Sequence, residues 1–111
     1  MTASSSTHVA VTLSVYRRER LVKTVTLRDP VLRIGTDPRS QLSIDDTTAS
    51  RTHAVVEVRE DGPTLIDLGT NSGTWVNGAR VNRCRLRVGD DIRIGTTHIH
   101  VERIEEGAHP S

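Results

Sequence analysis

Three stretches of this 111-residue chain bring hydroxyls, small residues and cations close enough together to do chemistry. Residues 35–40, 47–52 and 69–74 carry the hydroxyls of Thr36, Ser40, Thr47, Thr48, Ser50, Thr52, Thr70, Ser72 and Thr74, the Asn71 amide and the guanidinium groups of Arg39 and Arg51. Hydroxyls, an amide and backbone N–H groups in glycine-bearing turns, with one or two arginines, describe a site for an anion rich in acceptor oxygens, such as phosphate. Solvated turns closed by local Asx and Ser/Thr bonds have the same composition, so composition alone leaves both readings open. Ser50, His53 and Asp67 are the residue types of a hydrolase triad. Ser50 lies outside a Gly-x-Ser-x-Gly elbow, however, and a histidine three residues on, at the start of a strand, more simply props the loop. The chain therefore reads as non-catalytic. His98, His100 and Glu102 alternate and share a strand face, which allows a metal set. A polar stripe opposite Ile99 and Val101 explains them with less, so neither metal nor cofactor is expected.

The other residues must build a scaffold for those loops. Val (13), Leu (8), Ile (7) and Thr (14) stand against one Trp, one Tyr and no Phe. β-Branched side chains lose χ1 freedom in helices and pack well on pleated sheets, so an all-β chain with an aliphatic core follows. Its length suits one domain. Val9, Val11, Leu13 and Val15 alternate with small or polar neighbours, predicting a strand; after a charged turn at residues 17–20, a second alternation over 21–27, with Lys23 out of pattern, predicts its hairpin partner. Short strands follow at 31–34, 42–44, 53–59, 64–68, 75–76, 79–81, 86–88, 92–94 and 98–104. A turn is predicted at 60–63, and Asn77-Gly78 is a strong hairpin signal because both residues tolerate positive φ. About ten short strands with a turn signal roughly every 8 to 12 residues give a β-sandwich or barrel over residues 9–104. Residues 1–8 read as a disordered lead-in and 105–111 as a flexible tail or linker.

Charge nearly cancels, with 15 basic and 14 acidic residues and a net charge of +1, although 14 of the basic residues are Arg. That balance gives no electrostatic case for gripping long nucleic acid or an anionic membrane. Arg80, Arg83, Arg85, Arg87 and Arg93 offer a basic face, yet Arg85 and Arg87 alternate with Leu86 and Val88 as on the exposed side of an edge strand. One Trp and one Tyr cannot supply a stacking platform, so an acidic protein partner suits this face better than nucleic acid. Cys84 alone excludes an internal disulfide. Its neighbours Arg83 and Arg85 would lower its pKa were it exposed, but a structural thiol is the simpler reading. Trp75 reads as an anchor under the third loop. No apolar run reaches the ~18 residues of a membrane span, and the opening residues lack the basic start and apolar middle of a signal sequence. The expected location is cytoplasmic.

Over residues 9–104 the chain resembles a forkhead-associated (FHA) domain. The resemblance rests on Ile34-Gly35, on Ser50-Arg51-Thr52-His53-Ala54, on Asp67-Leu68-Gly69-Thr70-Asn71-Ser72-Gly73-Thr74-Trp75-Val76-Asn77-Gly78, and on Val88-Gly89-Asp90-Asp91-Ile92-Arg93-Ile94-Gly95. These motifs stand in the family's order and near its spacing. The resemblance implies an FHA-like β-sandwich of 10–11 short, mainly antiparallel strands, which binds phosphothreonine-containing peptides through loops at one end. It assigns Ser50 to the phosphate, with Arg51 adding charge, Asn71 reaching the phosphate and Ser72 holding the peptide backbone; Arg39 and Thr70 are further candidates. His53 props the loop from below, and Gly35, Gly73, Thr74, Asn77 and Gly78 are structural. Two positions depart from the pattern: Thr36 replaces the usual phosphate-binding arginine, and Ser72 replaces an asparagine. A lost ionic hydrogen bond is worth roughly 1.5–3 kcal/mol, about 10- to 150-fold in affinity, unless Arg51 or Arg39 compensates.

The implied partner is thus a protein segment, with no small-molecule substrate and no membrane. A degenerate FHA domain that binds an unmodified partner or oligomerises without phosphate is the alternative, and nucleic-acid binding through the arginine face ranks below it. Service within a bacterial regulatory protein follows by analogy of fold alone.

Overall fold

Alternating aliphatic runs each have one face to bury, and stacking two sheets buries most of them. The computed structural model, which describes residues 9–106, has this arrangement. Its strands are β1 (Val9–Arg17), β2 (Arg20–Leu27), β3 (Val31–Gly35), β4 (Leu42–Ser43), β5 (Ala54–Arg59), β6 (Gly62–Asp67), β7 (Thr74–Val76), β8 (Ala79–Val81), β9 (Arg83–Arg85), β10 (Asp91–Ile94) and β11 (Thr97–Glu106). One sheet runs β2-β1-β11-β10-β7-β8 and the other β4-β3-β5-β6-β9. Pairing is antiparallel except between β3 and β4, which are parallel.

Val11, Leu13, Val15, Ile92, Ile94 and Ile99 from the first sheet and Leu32, Ile34, Leu42, Val56 and Leu65 from the second make one aliphatic core. Tyr16 and Trp75 stay half-buried outside it. The first and last strands lie side by side in the six-stranded sheet, paired from Val9↔Glu106 to Arg17↔Thr97. Lys23, out of pattern in sequence, pairs with buried Val15 on the edge strand. Its ammonium reaches past the core to donate to Ser43 O on β4 at 2.7 Å, a long side chain carrying its charge to the rim.

Three expected boundaries are corrected. The strand placed at 86–88 is β9, residues 83–85. Leu86 still donates its N–H to Pro63 O, but Arg87 N then caps on the Asp90 carboxylate and the chain turns away, leaving Val88 60% exposed. The β5–β6 turn is only residues 60–61, because Arg59 already pairs with Gly62. β11 continues through Glu106, two residues beyond the predicted end, held by Val9 and Ala10. The lead-in over 1–8 and the tail from 107 lie outside the described residues.

The β1–β2 turn is also unusual. Arg18 (φ 53°) and Glu19 (φ 66°) both occupy the left-handed region, which a two-residue hairpin turn of this hand requires and which long side chains resist. Replacing them with Asn-Gly (Arg18→Asn with Glu19→Gly) is expected to stabilise the chain by about 1 kcal/mol. Thermal unfolding checks this: a midpoint that fails to rise by some 4–8 °C would contradict the strained turn.

Candidate functional site

Residues 36–41, 44–53 and 68–73 emerge at one end of the sandwich; buried polar groups fix the second and third of these loops from beneath, and the first is bonded to the backbone of the second. Gly35, at the end of β3, has no room for a side chain because the backbone of residues 50–51 lies directly on it: a Cβ there would overlap the Arg51 carbonyl oxygen. Beyond Gly35 the ladder continues into the loops. Thr36 N donates to Ser50 O and Asp37 N to Arg51 O, both at 3.1 Å, while His53 N donates to Ile34 O at 2.8 Å. The backbone of residues 50–51 is therefore fixed, with both side chains exposed.

His53 is fully buried and joins the second loop to the third. Its Nδ1 accepts from Ser50 N at 3.1 Å, which assigns the ring hydrogen to Nε2; that hydrogen points to Gly73 O at 2.9 Å. Asp67 closes the third loop from within. One carboxylate oxygen accepts from Gly69 N and Thr70 N, the other from Thr70 Oγ1 (2.8 Å) and Thr74 Oγ1 (2.7 Å). Burial raises the Asp67 pKa, but these four donors outweigh it and hold the group below the ordinary value. Gly73 takes positive φ (84°) and its N–H bonds Thr70 Oγ1. From the sheet face, Arg80 donates to Thr70 O and Asn71 O, and Trp75 Nε1 donates to Ser72 O at 3.2 Å. Trp75 is the expected anchor, and Arg93 lies 4.8 Å over its ring.

The second loop has its own buried carboxylate, Asp46, which spans the two sheets. It accepts from Thr48 N and Thr48 Oγ1 on one oxygen, and from Thr96 N, Thr96 Oγ1 and Thr97 Oγ1 on the other. Burial pushes its pKa up, and the bonds from Thr48, Thr97 and Thr96 more than reverse that, holding it far below the usual carboxylate range. Gly95 leaves room for this cluster, since a Cβ there would strike Thr48 Oγ1 and both Asp46 oxygens.

On the outer side of the loops, Asp37 gathers the two arginines expected to meet an anion. Arg39 binds it through Nε (3.3 Å), a terminal nitrogen (3.2 Å) and its own backbone N (3.0 Å), and Arg51 reaches it at 3.4 Å. Hydrogen bonds from Arg39, then from Arg51, hold the Asp37 carboxyl well below its ordinary range. The Arg51 side chain remains 74% exposed.

Ser50, Arg51, Thr36, Asn71 and Ser72 thus lie on neighbouring loops, with Arg39 beside them. Among the described residues the hydroxyls of Ser50 and Thr36 and the Asn71 side-chain amide have no hydrogen-bond partner. Ser72 Oγ donates to Thr48 O at 3.3 Å, tying the third loop to the second. Thr70 turns inward: its hydroxyl proton goes to Asp67, and its oxygen faces Gly73 N and His53 Nε2, which leaves no donor for a ligand. Asn77 and Gly78 form the expected positive-φ turn, but β7 separates it from the loops. There Asn77 braces Asp90 and Asp91. Sequence reasoning overlooked Asp37 and Asp46, although Asp-x-Arg at 37–39 and Asp-x-Thr at 46–48 are short-range patterns of self-bonding turns.

The competing sequence readings meet specific geometry. His53 Nε2 is 4.0 Å from Asp67 Oδ1, but Nδ1 is occupied by the Ser50 amide and nothing orients Ser50 Oγ toward the ring, so no triad forms. His98 Nδ1 and His100 Nε2 approach Asp91 at 2.8 and 2.9 Å, and Glu102 falls at the β11 bulge; no metal-holding group of three occurs among the described residues. The arginine face is split: Arg80 and Arg93 lie on the six-stranded sheet, while Arg83 and Arg85 lie on the edge of the other, where Arg85 pairs with Asp61 at 3.2 Å. Burial first, then nearby Asp90, raises the Cys84 pKa, the opposite direction from the lowering that flanking arginines would bring. Among the described residues no helix is long and apolar enough to cross a membrane.

The family model described as "FHA domain" matches residues 32–95. An oxoglutarate dehydrogenase inhibitor of Corynebacterium efficiens is 38% identical over 69 residues, 62% of this chain and 49% of that protein, so the match spans about half the relative's length. A crystal structure of the FhaA FHA domain, complexed with the intracellular domain of another protein, is 34% identical with a TM-score of 0.75, covering 83% of this chain and 99% of that one. A structure described as an analysis of phosphothreonine-dependent FHA domain interactions is 30% identical with a TM-score of 0.73, covering 90% and 99%.

A carboxylate held below its unfolded pKa of ~3.9 stabilises the fold above that pH and loses its contribution as the pH falls toward the folded-state value. Asp46→Asn is expected to cost about 2 kcal/mol at neutral pH and to flatten the loss of stability below pH ~4. Urea denaturation across that range checks it; an acid profile identical to the parent's would remove Asp46 as a source.

Proposed function

This chain belongs to the FHA domain family, and from that membership we propose that it is a non-catalytic protein-protein interaction module whose three apical loops capture a phosphothreonine-containing segment. The observation that carries the reading is the grouping of an exposed guanidinium, Arg51, with the unengaged Ser50 hydroxyl and Asn71 amide on loops whose backbones are fixed from below. Preorganised donors lose little entropy on meeting an anion, and a charge-assisted bond from arginine is about twice as strong as a neutral one. Ser50, Arg51 and Asn71 would bind the phosphate, Thr36 would add a neutral donor, and Ser72 would exchange its bond to Thr48 O for the ligand backbone. Arg39 acts through Asp37, which it shares with Arg51. His53, Thr70, Gly73, Thr74 and Gly35 support the loops. The phosphothreonine-dependent interactions described for one similar structure, and the protein partner of another, favour this ligand class.

The relatives' regulatory roles, a cytoplasmic location and a bacterial regulatory context extend the same proposal to the whole protein. One observation favours the alternative, phosphate-independent partner: Asp37 already offsets part of the charge of Arg39 and Arg51, the two groups that must stand in for the arginine replaced by Thr36.

Calorimetry with matched threonine and phosphothreonine peptides separates the two. Binding only to the phosphorylated member is expected, while equal or absent binding to every pair would sink the phosphate mechanism. Arg51→Ala should weaken phosphopeptide binding by about 10-fold or more, and Thr36→Arg should strengthen it by a similar factor. Unchanged affinity in Arg51→Ala would show that the anion sits elsewhere.

A further inference from the structure

Beside the apical loops, where β3 and the 36–41 loop meet the start of β5, lies a cleft of about 320 Å³ lined by Arg33, Asp37, Arg39, Ser40 and Thr52. Its chemistry is polar and cationic. Two guanidinium groups against one carboxylate leave a net positive charge, and two hydroxyls stand beside them. Asp37 forms the wall between this cleft and the proposed phosphate site, because the same carboxylate oxygen meets Arg39 at 3.2 Å inside the cleft and Arg51 at 3.4 Å outside it. Arg39 is thereby held by three bonds to Asp37, in place before any ligand arrives. Arg33 differs. It stands on the outer face of β3, its backbone N–H bonded to Gln41 Oε1, and among the described residues its guanidinium has neither an ion-pair nor a hydrogen-bond partner.

An unpaired arginine beside a fixed Arg–Asp pair, in a recess with hydroxyl donors, is complementary to one more anionic group. We infer that this cleft is a second subsite, which reads an anionic side chain on one flank of the phosphothreonine in the same ligand segment. The inference rests on the phosphothreonine reading above, since the ligand must first be placed by the apical loops. Arg33 supplies the discriminating charge; Ser40 and Thr52 supply neutral donors; Asp37 repels an anion placed too near Arg39 and so directs it to Arg33. A carboxylate and a second phosphate share this chemistry. A lysine on that flank meets like charge and is disfavoured.

The test is calorimetry on the full chain with a phosphothreonine peptide carrying alanine at every flanking position, and with variants that place one glutamate, phosphoserine or lysine at each flanking position in turn. Glutamate on one flank should tighten binding by about three- to tenfold, phosphoserine there should tighten it further, and lysine should weaken it. Arg33→Ala should erase these differences and leave the alanine-flanked peptide within about twofold of the parent. Arg33→Glu should reverse the preference, and Arg33→Lys should keep its direction, which excludes a folding defect as the cause. Tightening by phosphoserine alone identifies a second phosphate as the occupant, and tightening by glutamate as well admits a carboxylate. Indifference to every flanking charge, with the alanine-flanked peptide still bound, overturns the subsite and spares the phosphothreonine reading. A preference that survives Arg33→Ala, or an equal loss for all peptides, also overturns it. Failure of the unaltered chain to bind any of the phosphopeptides overturns both.

Discussion

A buried imidazole carrying one ring hydrogen connects two backbone segments when its bare nitrogen meets a donor and its N–H an acceptor. His53 meets that condition with Ser50 N and Gly73 O, and the apical surface depends on it. The loops have almost no apolar side chains of their own, so hydrophobic burial cannot fix them. The second and third loops take their order instead from three polar residues inside or below them, His53, Asp67 and Asp46, each saturated with partners, and the first loop follows through its backbone bonds to residues 50–51. Removing one partner leaves a desolvated group unpaired, which costs more than an average hydrogen bond contributes. The arrangement is therefore cooperative: the loops are shaped together, and the fixed positions of Ser50 and Arg51 follow from contacts that neither side chain makes.

Most of the sandwich was legible in the alternation of Val, Leu and Ile, because period-two burial is a local property that sequence records directly. Lys23 shows where that record stops. It occupies an inward position by pattern, and only the neighbouring edge strand β4 explains why a cation is tolerated there. The displaced β9 has a similar cause. Cys84, Leu86 and Val88 alternate like a strand, but after one last bond from Leu86 N to β6 the Asp90 cap bends the chain away. Of the site, the hydroxyl-rich loops and the role of His53 under them could be read from residue type and order. The carboxylates could not: Asp46 finds Thr96 and Thr97 some 50 residues away, and Asp37 meets Arg51 across a loop.

The surplus of arginine takes on meaning once each group is placed. Arg80 is committed to the third-loop carbonyls, Arg85 to Asp61, Arg93 to Trp75 and the Gly95 carbonyl, and Arg39 to Asp37. Most of these serve the scaffold: one Arg80 nitrogen bridges the Thr70 and Asn71 carbonyls, and one Arg85 nitrogen meets both the carbonyl and the carboxylate of Asp61. Only a few retain exposed, lightly engaged charge at the loop end. Absence of an arginine at position 36 is thus set against local supply rather than against the whole inventory.

The pairing of Val9 with Glu106 has a consequence for how the module can be joined to other chains. The two strands that carry the ends are antiparallel neighbours, so their terminal Cα atoms lie about 5 Å apart. They leave from the pole opposite the loops, because β1 runs from Val9 to the Arg17–Asp45 ion pair beside the second loop, roughly 30 Å away for a nine-residue strand. Tethers attached at this pole can lead to one host or to two without passing over the binding surface. A host could even receive the whole sandwich between two adjacent residues of a surface turn, since the gap it must open is little wider than one peptide unit.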